Sequence, residues 1–98
     1  MNLSTNHEEE LTRLKQFIAN SLSPQQERVL ELFSTSGLPY KQVALVINRD
    51  VKTVEKLVTT ITRKYQDFYG PSEKNASFRR IQSRAAVYYF LKDLLEKP

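Results

Sequence analysis

The sequence predicts an all-α fold, a small bundle of five helices, on three observations. Glycine and proline are scarce, 2 and 4 among 98 residues. They gather at Pro24, at Gly37 and Pro39, and at Gly70 and Pro71, where helices must stop or start. Between those marks the apolar residues recur with the helical period rather than alternating. Cap residues stand where such segments begin. The length suits one domain, residues 1–98, divided into an N-terminal helix (1–21), a core (22–69), and a linker with a C-terminal helix (70–98).

The first helix is expected over about Thr5–Ser21. Ser4 or Thr5 can cap it, and the early glutamates complement the positive end of the helix dipole. Leu11, Leu14, Phe17 and Ile18 form its apolar stripe. The second begins with Ser23 as cap, Pro24 in the first helical position and Gln26 three residues beyond the cap. Val29, Leu30, Leu32 and Phe33 face the core, and Gly37 supplies a left-handed stop. The third is short, about Tyr40–Ile47, with Val43, Ala44 and Ile47 on one side. Asn48-Arg49-Asp50 then makes a tight turn, because Asn tolerates the left-handed region and Asp50 caps well. The fourth runs from Val51 to about Tyr65 or somewhat beyond. The fifth runs from about Ser77 to Glu96, with Ile81, Ala85, Tyr88, Leu91 and Leu95 on one face.

Composition excludes several classes of function. There is no cysteine, so disulfides, thiolate metal sites and thiol nucleophiles are out. His7 is the only histidine; it sits among Glu8, Glu9 and Glu10, without the second histidine a helical zinc site needs. No glycine-rich phosphate loop occurs, and no serine or threonine has a visible catalytic partner. The expectation is a protein without enzymatic activity, cofactor, metal or small-molecule ligand. No apolar run approaches the ~18 residues of a membrane span, and no signal sequence is visible; a cytoplasmic location without membrane attachment is expected. The formal net charge of +4 points towards anionic partners.

A short helix, a three-residue turn and a longer helix form a helix-turn-helix pattern. On a wheel of the fourth helix, Val54, Leu57, Val58, Ile61 and Tyr65 share one side. Opposite them run Lys52, Lys56, Thr59 and Arg63, with Thr60 and Glu55 at the edges. Between Arg49 and Lys64 five basic residues face only Asp50 and Glu55. Lysine and arginine can donate to phosphates or guanine acceptors, and threonine offers a hydroxyl and a methyl. By itself the stripe is also what the solvated side of any amphipathic helix presents.

A wider match adds to the pattern. Leu22-Ser23-Pro24-Gln25-Gln26-Glu27-Arg28-Val29-Leu30-Glu31-Leu32, then Gly37-Leu38, Val43-Ala44, Lys52-Thr53-Val54, Ile61 and Arg63-Lys64 resemble, at ungapped spacing, the LuxR-type DNA-binding domain. The segment is also similar to the fourth region of bacterial sigma factors, which matches Tyr40 better. The resemblance covers Leu22–Tyr65. It implies DNA contact from Lys52, Thr53, Lys56 and the exposed positions after them (Thr59, Thr60, Arg63 and Lys64), and backbone contacts near Tyr40 and Lys41. Three positions depart from the family. Arg28 stands where a glutamate is usual, Pro39 replaces a serine cap, and Arg49 replaces the apolar residue that usually precedes the recognition-helix cap. Anchoring of the turn would then pass to Val51, leaving Arg49 free to meet phosphate.

Arg84–Leu95 loosely resembles the last helix of the LuxR-type domain, which forms the dimer there. That resemblance implies a homodimer interface at Tyr88, Leu91 and Leu95. The N-terminal helix could instead cover the same surface within the chain. Arg79, Arg80 and Arg84 are open to either solvation or phosphate contact. The expectation is a LuxR-like helix-turn-helix transcriptional regulator that binds double-stranded DNA. With a helix in place of an N-terminal sensing domain, its control would come from abundance or a partner. The alternative is a sigma-region-like adaptor that binds RNA polymerase or another regulator, with DNA contact secondary.

Overall fold

A computed structural model of the chain describes the backbone of residues 3–96 and the side chains of residues 8–96. Its elements are α1 (Leu3–Ser21), α2 (Pro24–Ser36), α3 (Tyr40–Ile47), α4 (Val51–Tyr69), a 3-10 turn (Pro71–Glu73) and α5 (Phe78–Glu96). The fold is an all-α bundle holding a helix-turn-helix. Helix α1 starts earlier than Ser4 or Thr5 as a cap would allow. The side chains of those two residues and of His7 lie outside the described residues.

The caps set the other boundaries. Ser23 Oγ accepts from the Gln26 amide, and Gln26 Oε1 accepts from the Ser23 amide, at 3.2 and 2.9 Å. This reciprocal box satisfies two backbone donors at the start of α2. Gly37 ends that helix at φ 63°, and its amide donates to the Phe33 carbonyl. Asn48 ends α3 at φ 57°. Asp50 opens α4 by accepting from the Thr53 amide at 2.8 Å. Pro39, lacking a side-chain acceptor, starts α3 through its carbonyl alone, which accepts from the Gln42 and Val43 amides.

One core collects residues from every helix: Leu14, Phe17 and Ile18 of α1; Val29, Leu30 and Phe33 of α2; Val43 and Ala44 of α3. From α4 come Val54, Val58, Ile61 and Tyr65, and from α5 Ile81, Ala85, Tyr88 and Tyr89. The sets of α1, α2, α4 and α5 repeat at three- and four-residue intervals, and partly buried Ile47 extends the pair on α3, so each helix buries one stripe. Leu11, Leu32, Ile47, Val51 and Leu57 are only partly buried at its margin.

Helix α4 continues four residues past Tyr65, because no breaker occurs before Gly70 and its last turn has partners. Phe17 meets Tyr65 edge-on at 5.5 Å, and Phe68 and Tyr69 complete the ring cluster. Such edge-to-face contacts favour the ring quadrupoles. The connection to α5 is fixed as well. Gln66 donates to the Ala76 carbonyl at 2.9 Å, and Tyr65 Oη donates to Glu73 at 2.9 Å.

Helix α5 departs from expectation at its far end. Tyr88 lies in the intramolecular core at 9% exposure, so it is not free to form the dimer interface assigned to it. Leu95, expected on one face with Tyr88 and Leu91 and at the same interface, is 85% exposed. The reason is geometric: α1 and α5 leave an open groove between them, lined by Leu11, Lys15, Leu91 and Leu95. Among the described residues, no helix is long and apolar enough to cross a membrane.

Candidate nucleic-acid interface

The interface is built from the turn upward. Asn48 in the left-handed region reverses the chain, and its amide donates to the Ala44 and Leu45 carbonyls. The Arg49 amide donates to the Ala44 carbonyl at 2.9 Å. These bonds use the carbonyls that a helix end leaves unpaired. Val51 packs against the core margin and anchors the turn. The bond from Thr53 holds the Asp50 carboxyl below its usual range, with a smaller contribution from the charge of Lys56.

Val54, Val58, Ile61 and Tyr65 are buried, which fixes the rotation of α4 about its axis. Lys52, Lys56, Thr59 and Arg63 are therefore exposed along its outer side. With Glu55 and Thr60 they line one shallow groove. Thr59 Oγ1 donates to the Glu55 carbonyl at 3.0 Å, which leaves the hydroxyl free to accept. Thr53 and Thr60 are half-buried at the flanks.

Helix α3 contributes its start. The ring of Tyr40 rests 5.0 Å from that of Phe33. Partial burial raises the Tyr40 hydroxyl pKa, and the Glu55 charge adds to the rise. Lys41 is exposed beside it. The Tyr40 and Lys41 amides belong to the first turn of α3, whose donors an α-helix leaves without intrahelical partners.

Two of the basic residues lie elsewhere. Lys64 does not join the stripe: its ammonium donates to the Ser21 carbonyl and to Gln26 Oε1, both at 2.8 Å. It ties α4 to the α1–α2 junction, using the same oxygen that completes the Ser23 cap. Arg49 faces a different groove, beside Val46, Ile47, Arg28 and Glu31, and donates to the Asn48 carbonyl.

The arginines of α5 are also divided. Arg80 grips Glu73 with two bonds of 2.7 and 2.9 Å. Arg84 donates to Tyr65 Oη and lies over the Tyr69 ring at 5.1 Å. Arg79 alone of the three stays outside such contacts and exposed. Sequence reasoning missed the anchoring roles of Lys64, Arg80 and Arg84. For Lys64 a signal existed, since it follows Ile61 by three residues and so borders the buried side.

These elements make a helix-turn-helix whose second helix carries an outward basic stripe. Residues 17–59 match the family model of sigma-70, region 4. That match, just under half of the chain, spans the end of α1 from Phe17, all of α2 and α3, and α4 as far as Thr59. The segment is thus similar to region 4, a helix-turn-helix domain with a DNA-binding, transcription-related role, to which the LuxR-type domain is related. Arg63 and Lys64 lie beyond the matched region 4 segment. No curated protein and no solved structure matches the chain.

Proposed function

We propose that the protein is a sequence-specific DNA-binding transcriptional regulator that places the first half of α4 in the major groove. One observation carries this reading. The rotation of α4 is set by Val54, Val58 and Ile61, so Lys52, Lys56, Thr59 and Arg63 project together from a rigid element. A recognition helix works in this way, with base contacts from its early turns and phosphate contacts around them. Lys41 and the free amides at the start of α3 suit phosphate. The region 4 match supports a role in transcription. The reading assigns no catalysis and no cofactor, and it includes a homodimer formed through α5.

Selection from a random duplex library with the purified protein tests the proposal. A recovered motif is expected, with affinity falling steeply as salt rises because bound phosphates release counterions. The folded Lys52→Ala/Lys56→Ala double variant should bind measurably more weakly and with a shallower salt slope. Unchanged affinity in that variant would remove α4 from the interface.

The adaptor reading keeps one supporting observation. Leu45 and Val46, on the outside of α3, are 75% and 44% exposed. A protein partner such as RNA polymerase could cover them. Binding to polymerase that survives the double variant, with no DNA motif recovered, would favour it.

A further inference from the structure

We propose that Glu55 is a specificity-determining residue that reads a cytosine, accepting a hydrogen bond from the cytosine N4 amino group in the major groove. The inference rests on the DNA-binding reading of α4 and deepens it. Glu55 is exposed in the second turn of α4 and lines the same groove as Lys52, Lys56, Thr59, Thr60 and Arg63. It is the only acidic residue in that lining. Its carboxylate has no ion pair and no hydrogen bond among the described residues; only its backbone carbonyl is engaged, by Thr59. Lys52 and Lys56 are near in sequence, yet neither ammonium closes on it. The Glu55 charge is felt at the Tyr40 hydroxyl, but the carboxylate oxygens keep their hydrogen-bonding capacity for a donor in the complex.

The chemistry of DNA narrows that partner. Phosphates repel a carboxylate, so backbone contact is excluded. A base edge must then supply a donor. In the major groove guanine shows two acceptors, and thymine an acceptor and a methyl. Adenine pairs its N6 donor with an adjacent N7 acceptor, which opposes a carboxylate. Cytosine presents the N4 donor alone. The guanine opposite that cytosine offers O6 and N7, acceptors suited to a neighbouring lysine. A mixed Lys–Glu–Lys surface therefore fits a C·G pair with both strands read, and the lysines offset the repulsion between Glu55 and the phosphates.

Library selection with the wild type, Glu55→Gln and Glu55→Ala decides the matter, with melting curves confirming that this exposed position leaves the fold intact. The wild-type motif should contain one position where cytosine is preferred by roughly tenfold or more. Glu55→Gln should move the preference there towards adenine, whose N6 and N7 a glutamine can bond together. Glu55→Ala should flatten it. Lys56→Ala should leave that cytosine in place while weakening binding. An identical motif from all three proteins, with the alanine variant merely binding tighter, would overturn the assignment of Glu55 and leave the DNA-binding reading intact. Absence of any wild-type motif would overturn both.

Discussion

Arg63 and Lys64 are neighbours in sequence with opposite roles, because successive helical residues point about 100° apart. Arg63 continues the outward stripe. Lys64 turns inward at the edge, where the Ser21 carbonyl and Gln26 Oε1 receive its ammonium. Hydrogen bonds to charged groups are worth about 1.5–3 kcal/mol when partly buried. Lys64→Ala should therefore destabilise the protein by about 1–3 kcal/mol in chemical denaturation. The salt slope of DNA binding by its folded fraction should match the wild type. A stable variant with a shallower slope would return Lys64 to the interface. Summing basic charge along the sequence counts both residues alike, and only the direction of each side chain separates them.

Helix α4 is the element on which the site depends, and burial positions it. Ile61 is fully buried in the common core. Ile61→Ala should cost about 2–5 kcal/mol through lost transfer energy and the cavity left behind, read as a lower midpoint of denaturation. The far end of α4 adds a pH dependence. The bonds from Arg80, and less strongly from Tyr65, hold the Glu73 carboxyl below its ordinary value near 4.5. A depressed folded pKa gives stability that is complete above the unfolded value and lost as pH falls through the folded one. The protein should lose stability on acidification below about pH 4.5, and Glu73→Gln should flatten that part of the profile. The helices were legible in sequence because their signals are local: Ser23, Gln26, Gly37, Asn48 and Asp50 each act within four residues. The outward stripe followed from the wheel alone. The ties of Tyr65 to Glu73 and Arg84, and of Lys64 to Gln26, join separate elements, so no local pattern announces them. Tyr88 was misassigned for the same reason, since only the packed bundle shows which side of α5 meets the core.

At the scale of the molecule, α5 is apolar on two sides. Ile81, Ala85, Tyr88 and Tyr89 face inward, while Val87, Phe90 and Leu94 are 55%, 63% and 51% exposed. The outward three follow at helical spacing, with half-buried Leu91 beside them. Helix α1 lies along one flank only, where Leu11 and Leu14 line a groove with Val87 and Leu91. The largest apolar patches on monomers cover roughly 300–600 Å². Two such patches face to face would remove about 1,000 Å², the lower bound for a specific interface. The homodimer should therefore form through Val87, Phe90 and Leu94 rather than the buried Tyr88, and its affinity should be modest. Sedimentation should show a concentration-dependent rise from 11.4 kDa towards twice that mass. Phe90→Glu should hold the protein at the lower mass without altering its fold. Pairing also bears on recognition, because one helix reads few base pairs and a two-fold dimer reads two half-sites related by a dyad. The wild-type motif should then be palindromic, and Phe90→Glu should recover a single half-site at lower affinity. A palindrome that persists in a strictly monomeric Phe90→Glu protein would mean that the two copies meet on DNA through another surface.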